Sequence, residues 1–88
     1  MSVSFYPANA EDNYANYSNA NAGVILEAMG FLVDGADFSD VCVGEADAAD
    51  FERRCYRGVA HGFTAPQFSA LVRIARKAKA DGVPVLWG

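Results

Sequence analysis

The stretch that decides the fold is TAPQFSALVRIARKAKADGVPVLWG, residues 64–88. Thr64 and Gln67 have the spacing of a capping box, and Pro66 falls in the first turn, so a helix is predicted to begin here. The apolar residues at helical spacing that we expect to face inward are Phe68, Leu71, Val72, Ala75 and Ala78. A helix that runs to about residue 80 is therefore predicted for the C-terminal third of the chain.

The two ends of the chain are predicted to be strands. Asp81-Gly82 ends the long helix, and the apolar residues 83–87 return as a terminal strand, for which Pro84 favours an edge position. Residues 2–6 alternate polar and apolar side chains, which is typical of a short strand. Both termini can therefore contribute to one small sheet.

A polar loop and another helix are expected after the first strand. All five Asn residues of the chain lie within residues 9–21, so we expect residues 7–18 to form a turn-rich loop. Ser18 is a suitable N-cap and Gly30 a suitable C-terminal stop for a helix over residues 19–29. The buried stripe of this helix is expected to be Ala22, Ile25, Leu26 and Met29.

The middle of the chain is predicted to hold a short strand and a further helix. The strand is expected at residues 41–43, VCV, because they form a short apolar run. The helix is expected to begin at Asp47 and to end near His61-Gly62, with acids in its first turn and arginines downstream. Its inward stripe is predicted to be Phe51, Cys55 and Val59.

Together these elements predict an α+β fold, with three helices packed on a small sheet of short strands formed largely by the two termini. Residues 1–88 form one domain in this interpretation, because a chain of 88 residues has no room for two cores. A globule of this length has a radius of gyration of roughly 12 Å. Such a domain is too small to enclose a deep substrate cavity.

Composition and cysteine usage favour a cytoplasmic protein. The chain has no run close to the ~18 apolar residues of a membrane-spanning helix, and its N-terminus has neither a basic region nor a long apolar region. The two cysteines, Cys42 and Cys55, form no C-x-x-C motif, so two buried free thiols are expected. A Cys42–Cys55 bridge is the alternative.

Charge is divided unevenly along the chain. Residues 1–52 contain ten acids and no Lys or Arg, whereas residues 53–88 contain seven bases and one acid, so the two parts carry formal charges of −10 and +6. Two outcomes are open. The halves can neutralise each other in the folded molecule, or they can present an acidic and a basic face to different partners.

No motif in the sequence predicts catalysis, a metal or a cofactor. Phosphate-binding glycine loops and nucleophile elbows are absent from the sequence, and His61 is its one histidine. Residues 34–40, DGADFSD, place acids at every third position rather than at the alternating positions of a calcium loop. We therefore expect a non-catalytic protein.

The acidic half offers a candidate protein-binding face. Its residues are Asp34, Asp37, Asp40, Glu45, Asp47 and Asp50. Small inhibitors use such carboxylates to bind basic surfaces by electrostatic complementarity. Tyr14 and Tyr17 in the Asn-rich segment add the amphipathic side chains that are typical of interfaces. The partner predicted in this way is another protein with a basic surface.

Two alternatives use the basic half of the chain. Arg73, Arg76, Lys77 and Lys79 lie within seven residues of the long helix and could bind nucleic acid phosphates. Against this alternative stand the net charge of −4 and the lack of a recognisable reading motif. Alternatively, the charge division suits a self-associating accessory protein whose copies meet head to tail. The oligomeric state itself is left open.

A short segment resembles a known group of proteins. Residues 16–22, NYSNANA, run into residues 26–30, LEAMG, and this segment is similar to one found in small uncharacterised bacterial and prophage proteins. The closing residues 86–88, LWG, resemble the same group. The resemblance implies an origin in a mobile element, and by analogy an anti-CRISPR-like inhibitor of a host defence complex. It implies no catalytic residue.

Overall fold

Three helices pack on one face of a four-stranded antiparallel sheet. The structure is a computed structural model, and it describes residues 2–31, 43–60 and 65–88. In chain order its elements are β1 (Ser2–Pro7), β2 (Ala15–Ser18), α1 (Asn19–Met29), β3 (Gly44–Ala46), α2 (Ala48–Ala60), α3 (Ala65–Asp81) and β4 (Val85–Trp87). The strand order is β2-β1-β4-β3. The predicted α+β class and the contribution of both termini to the sheet are confirmed, and the radius of gyration is 11.8 Å.

Helix α1 has the predicted bounds. The Ser18 hydroxyl accepts a hydrogen bond from the Asn21 backbone N–H at 3.3 Å, which caps the first turn. Gly30 ends the helix with φ at +85°, in the left-handed region that favours glycine. The four residues predicted to face inward on this helix are all buried.

Helices α2 and α3 also follow their local sequence patterns. The Asp47 carboxylate caps α2 by accepting a hydrogen bond from the Asp50 backbone N–H at 3.2 Å. The end predicted at His61-Gly62 and the cap predicted at Thr64 lie outside the described residues. Of the residues predicted to face inward on α3, four are buried and Val72 is half-buried, while Ile74 is buried although it was not predicted.

Three predictions about the strands were wrong. Residues 15–18 form β2 rather than a loop, because β1 supplies a partner that local Asn content does not reveal. The buried strand predicted at 41–43 is wrong at Val43, which is exposed and lies just before β3; residues 41–42 lie outside the described part. Strand β4 is internal, and Pro84 is tolerated because it lies just before that strand, where its carbonyl accepts a bond from the Ala8 N–H.

An aromatic cluster forms the centre of the core. The rings of Phe5, Phe51 and Trp87 lie 5.9–6.1 Å from one another between centroids. Phe31 contacts the Trp87 ring at 5.2 Å and the Phe51 ring at 6.0 Å. This cluster joins both central strands to α2 and to the end of α1. Cys55 is buried beside it as a free thiol.

Candidate functional site

One face of the sheet is open in the part of the chain that the structure describes. The helices pack on the face formed by Val3, Phe5, Val85 and Trp87, which are all buried. Strand periodicity directs the alternating side chains to the opposite side, where no described helix covers them. We call this side the outer face. Its residues are Ser2, Ser4, Tyr6, Tyr14, Asn16, Ser18, Val43, Glu45 and Leu86.

The register arranges the larger outer-face side chains in a row. Leu86 on β4 lies opposite Tyr6 on β1 and opposite Glu45 on β3. Continuing the β1–β2 register by one residue, from Phe5 opposite Ala15, places Tyr14 beside Tyr6. Side chains paired in this way across strands lie about 4.5–5.5 Å apart at Cβ. The row therefore combines two tyrosines, a leucine and a carboxylate.

Short polar side chains surround this row. The Asn16 amide donates hydrogen bonds to the Ser2 hydroxyl at 3.0 Å and to the Ser4 hydroxyl at 2.9 Å. These bonds hold three neighbouring polar groups in one arrangement across β1 and β2. Val43, just before β3 at the other side of the sheet, is 72% exposed. The outer face thus mixes preorganised polar groups with accessible apolar area.

The segments that contain the strands and the segments that contain α2 and α3 differ in formal charge. The sheet segments, residues 2–18, 43–47 and 82–88, hold four acids and no base, a formal charge of −4. Residues 48–81, which contain α2 and α3, hold seven bases and three acids, a formal charge of +4. Of these four acids, Glu45 lies on the outer face, Glu11 and Asp12 lie between β1 and β2, and Asp47 caps α2. Glu27 on α1 reduces the formal charge of the three helices together to +3.

The structure places the predicted acidic residues in different settings. Glu45 is exposed on the outer face, and Asp47 caps α2. Asp50 forms ion pairs with Arg53 and, at 2.9 Å, with Arg54, so the protein neutralises this carboxylate itself. Asp34, Asp37 and Asp40 lie outside the described residues. Of the six, Glu45 belongs to the open surface.

Arg54 holds the end of α1 against α2. Its Nη1 donates to the Met29 carbonyl at 3.1 Å, one of the carbonyls left without a helical partner at the end of α1. Its guanidinium also lies 4.6 Å from the centre of the Phe31 ring, a cation–π contact. Because Asp50 orients this same guanidinium, the Asp50–Arg54 pair is structural.

This pair makes the stability depend on acid pH. The hydrogen bond from Arg54 lowers the pKa of Asp50 below its usual range, so the pair stabilises the fold above the unfolded-state pKa and less as pH falls through the folded-state pKa. We expect Asp50→Asn to lower the free energy of unfolding by about 0.5–1 kcal/mol at pH 7. The difference should be smaller at pH 3, which lies below the unfolded-state value of about 3.9. Urea unfolding at both pH values measures it.

The matched control for this prediction is Glu11→Gln. Glu11 is exposed and makes no ion pair with a described residue, so its substitution should change stability by less than about 0.5 kcal/mol at either pH. An Asp50→Asn difference that stays constant between pH 7 and pH 3 would contradict the role given to the carboxylate charge.

The structure separates the two predicted tyrosines. Tyr14 is 56% exposed on the outer face. Tyr17 points to the core side of β2, where its ring meets Phe5 edge to face at 5.8 Å, and burial raises its pKa. Tyr14 is thus available to a partner, whereas Tyr17 packs against the core.

The basic residues of α3 are partly used inside the molecule. Arg76 pairs with Glu52 at 2.8 Å and donates to the Tyr56 hydroxyl at 2.9 Å. Lys77 pairs with Asp81 at 2.8 Å, while Arg73 and Lys79 form no ion pair with a described residue. The four predicted nucleic-acid contacts therefore do not form one free cationic patch.

Cys55 is the one cysteine among the described residues, and it is buried. Burial raises the pKa of the Cys55 thiol to about 12, so this thiol is protonated at neutral pH. No group of three His, Cys, Asp or Glu side chains in the described ranges could hold a metal ion.

A surface cavity of about 270 Å³ lies beside the start of α2, lined by Asp47, Lys79 and Pro84 among others. None of the helices described is long and apolar enough to cross a bilayer.

Sequence reasoning identified Tyr14 and Glu45 but missed Tyr6 and Leu86. The alternation in residues 2–6 signalled a strand with two different faces, yet it could not indicate that one face would lack a covering helix. Comparisons with family models, with curated proteins and with solved structures found no match to this chain.

Proposed function

We propose that this protein is a non-catalytic protein-binding module that binds a basic protein surface through its outer face. The observation that supports this most directly is the row formed by Tyr14, Tyr6, Leu86 and Glu45 on the outer face, in which Tyr14 and Glu45 are exposed and Tyr6 and Leu86 are half-buried. Polar residues are usual on the solvated face of an antiparallel sheet, and here two tyrosines and a leucine lie side by side among them.

The chemistry of the outer face suits protein recognition. Tyrosine provides a large rigid contact area with few rotatable bonds and a hydroxyl that can donate or accept. Serine and asparagine provide adaptable hydrogen bonding around it, the combination that binding loops of antibodies use. Here the serines and Asn16 are already held in place by their mutual hydrogen bonds, which reduces the entropy lost on binding.

Charge favours a basic partner. The sheet segments carry −4, and within the outer face Glu45 is the charged residue. A positive partner surface would be steered to this side and kept away from the +4 side formed by α2 and α3. Nucleic acid binding through α3 has less support, because Arg76 and Lys77 are engaged in ion pairs.

The resemblance to prophage proteins makes the proposal more specific. On that resemblance we propose that the partner is a component of a host defence complex whose basic surface the module covers, as an anti-CRISPR-like inhibitor does. Such inhibition requires no chemistry from the bound module, only occupation of the surface.

Photo-crosslinking from the outer face tests the proposal. With a benzophenone amino acid at position 14, cells of the encoding organism should yield a specific adduct with one protein, identified by mass spectrometry. The matched control is position 56, since Tyr14 and Tyr56 are 56% and 52% exposed but Tyr56 lies on α2. Position 56 should yield no adduct with that protein. Equal adducts from both positions, or none from position 14, would refute binding through this face.

Charge reversal provides a second readout on the captured partner. Glu45→Lys should weaken binding by about tenfold, the effect of one lost interface charge pair. Glu27→Lys changes charge equally at an exposed site on α1 and should leave affinity within about twofold. Titration calorimetry with the purified partner measures both. Unchanged affinity in Glu45→Lys would argue against a basic partner.

A further inference from the structure

The free edge of β2 is a further surface that has no partner among the described residues. Strand β2 ends the sheet order, so β1 pairs with one side of it and no described strand pairs with the other.

The alternating direction of backbone hydrogen bonds along a strand shows which backbone groups of β2 face this free edge. Ser4 and Gly88 exchange both of their backbone bonds, at 2.9 and 3.1 Å, so the backbone groups of Ser4 point towards β4. Along an antiparallel strand these directions alternate, and Val3 and Phe5 therefore bond to Tyr17 and Ala15 on β2. It follows that the backbone N–H and C=O of Asn16 point away from the sheet.

Within the described residues, the four-residue edge strand β2 carries no charged side chain, proline or bulge that would oppose strand addition. Proteins protect free edges with charged side chains, proline, bulges or a covering element. Residues 13–21 contain no charged residue and no proline, and the Asn16 side chain is turned onto Ser2 and Ser4. The opposite edge, β3, carries the charged Glu45.

We infer that two copies of this chain join β2 to β2 in an antiparallel, two-fold symmetric dimer with one continuous eight-stranded sheet. A strand that pairs with a second copy of itself is self-complementary only when it carries no charge near the axis, since like charges would then face each other. The β2 edge meets this condition, with Asn16 opposite Asn16 of the second copy. This inference stands independently of the proposed function.

The dimer would double the surface available to a partner. Both outer faces lie on the same side of a continuous sheet, so the two Tyr14–Tyr6 rows become parts of one extended surface. Each copy carries a net charge of −4. Electrostatic repulsion between the two copies opposes dimerisation, although the interface itself is neutral. Added salt screens this repulsion and should therefore strengthen the dimer. A head-to-tail assembly of acidic and basic sides would respond in the opposite direction.

Sedimentation equilibrium of the full chain tests the inference. From about 10 µM to 1 mM protein, the mass should rise from 9.4 kDa towards twice that value, and the dimer should tighten between 50 and 500 mM NaCl. Asn16→Lys places two ammonium groups face to face at the axis and should weaken the dimer by about tenfold or more. A mass of 9.4 kDa throughout, or a dimer that salt weakens, would overturn the inference.

Ser4→Lys is the matched control. It adds the same charge to the same face, but on the internal strand β1, away from the axis. It should weaken the dimer by less than about threefold. Equal effects of the two variants would contradict pairing at β2. Hydrogen exchange of the wild-type chain gives an independent readout: the Asn16 amide should become slower to exchange as protein concentration rises, and a rate independent of concentration would refute the edge contact.

Discussion

Phe51→Ala is expected to lower the free energy of unfolding by about 3–5 kcal/mol, the usual cost of truncating a buried phenylalanine. Phe51 is fully buried, and its ring lies about 6 Å from those of Phe5, Phe31 and Trp87. Removing it leaves a cavity bordered by three large rings, which cannot collapse without moving two strands and the end of α1. A domain of this size has a total stability of roughly 5–10 kcal/mol, so the variant should be close to unfolding.

Urea unfolding followed by tryptophan fluorescence measures this effect, because Trp87 is the one tryptophan of the chain and lies in the same cluster. Tyr56→Ala is the control on the same helix, since it truncates an aromatic residue that is 52% exposed. Its cost should be below about 1 kcal/mol. If Phe51→Ala cost no more than Tyr56→Ala, the aromatic cluster would not be the centre of the core.

Gly44→Ala is expected to cost about 1–3 kcal/mol, although it adds only one methyl group. A Cβ at position 44 would lie 2.5 Å from Cζ2 and 2.7 Å from Cε2 of the Trp87 indole. The indole cannot yield easily, because Phe5 and Phe31 pack against it. Either β3 separates from β4 or the aromatic cluster shifts, and both outcomes lose buried contact.

Thermal unfolding of Gly44→Ala and Gly88→Ala separates this clash from a general glycine effect. In Gly88→Ala the new Cβ would lie 3.7 Å from Val43 Cγ2, an ordinary contact distance. That control should change stability by less than about 0.5 kcal/mol. Since a loss of about 1 kcal/mol shifts Tm by roughly 4–8 °C in a domain of this size, the two variants should be readily distinguished. A Gly44→Ala variant as stable as the control would show that the indole has room to move.

The parts of the fold that sequence reasoning predicted correctly are those defined by neighbouring residues. Ser18 and Gly30 bound α1 because a cap acts within one helical turn, and the apolar spacing of α1 and α3 predicts their buried sides for the same reason. The strand β2 was missed because its asparagines are poor strand formers. Its pairing depends on β1, whose partner residues lie ten to sixteen positions away along the chain.

The candidate site shows the same division. Glu45 and Tyr14 could be proposed from residue type, but their common surface with Tyr6 and Leu86 exists because the two termini and β3 meet in one sheet. Residue type was equally unable to separate Tyr14 from Tyr17. The β1–β2 register, in which Val3 lies opposite Tyr17, determines that Tyr14 is the tyrosine exposed to solvent. A shift of this register by one residue would reverse the two.

By itself, the sequence determined the α+β class, the bounds of α1, the buried residues of α1, most of those of α3, and the separation of acidic from basic residues along the chain. The tertiary structure decided which acids meet a base, that Pro84 precedes an internal strand, and that one face of the sheet stays open. The physical reason is the range of the interactions. Caps and helical periodicity act over a few residues, whereas strand pairing, ion pairs between elements and burial depend on partners distant in the chain.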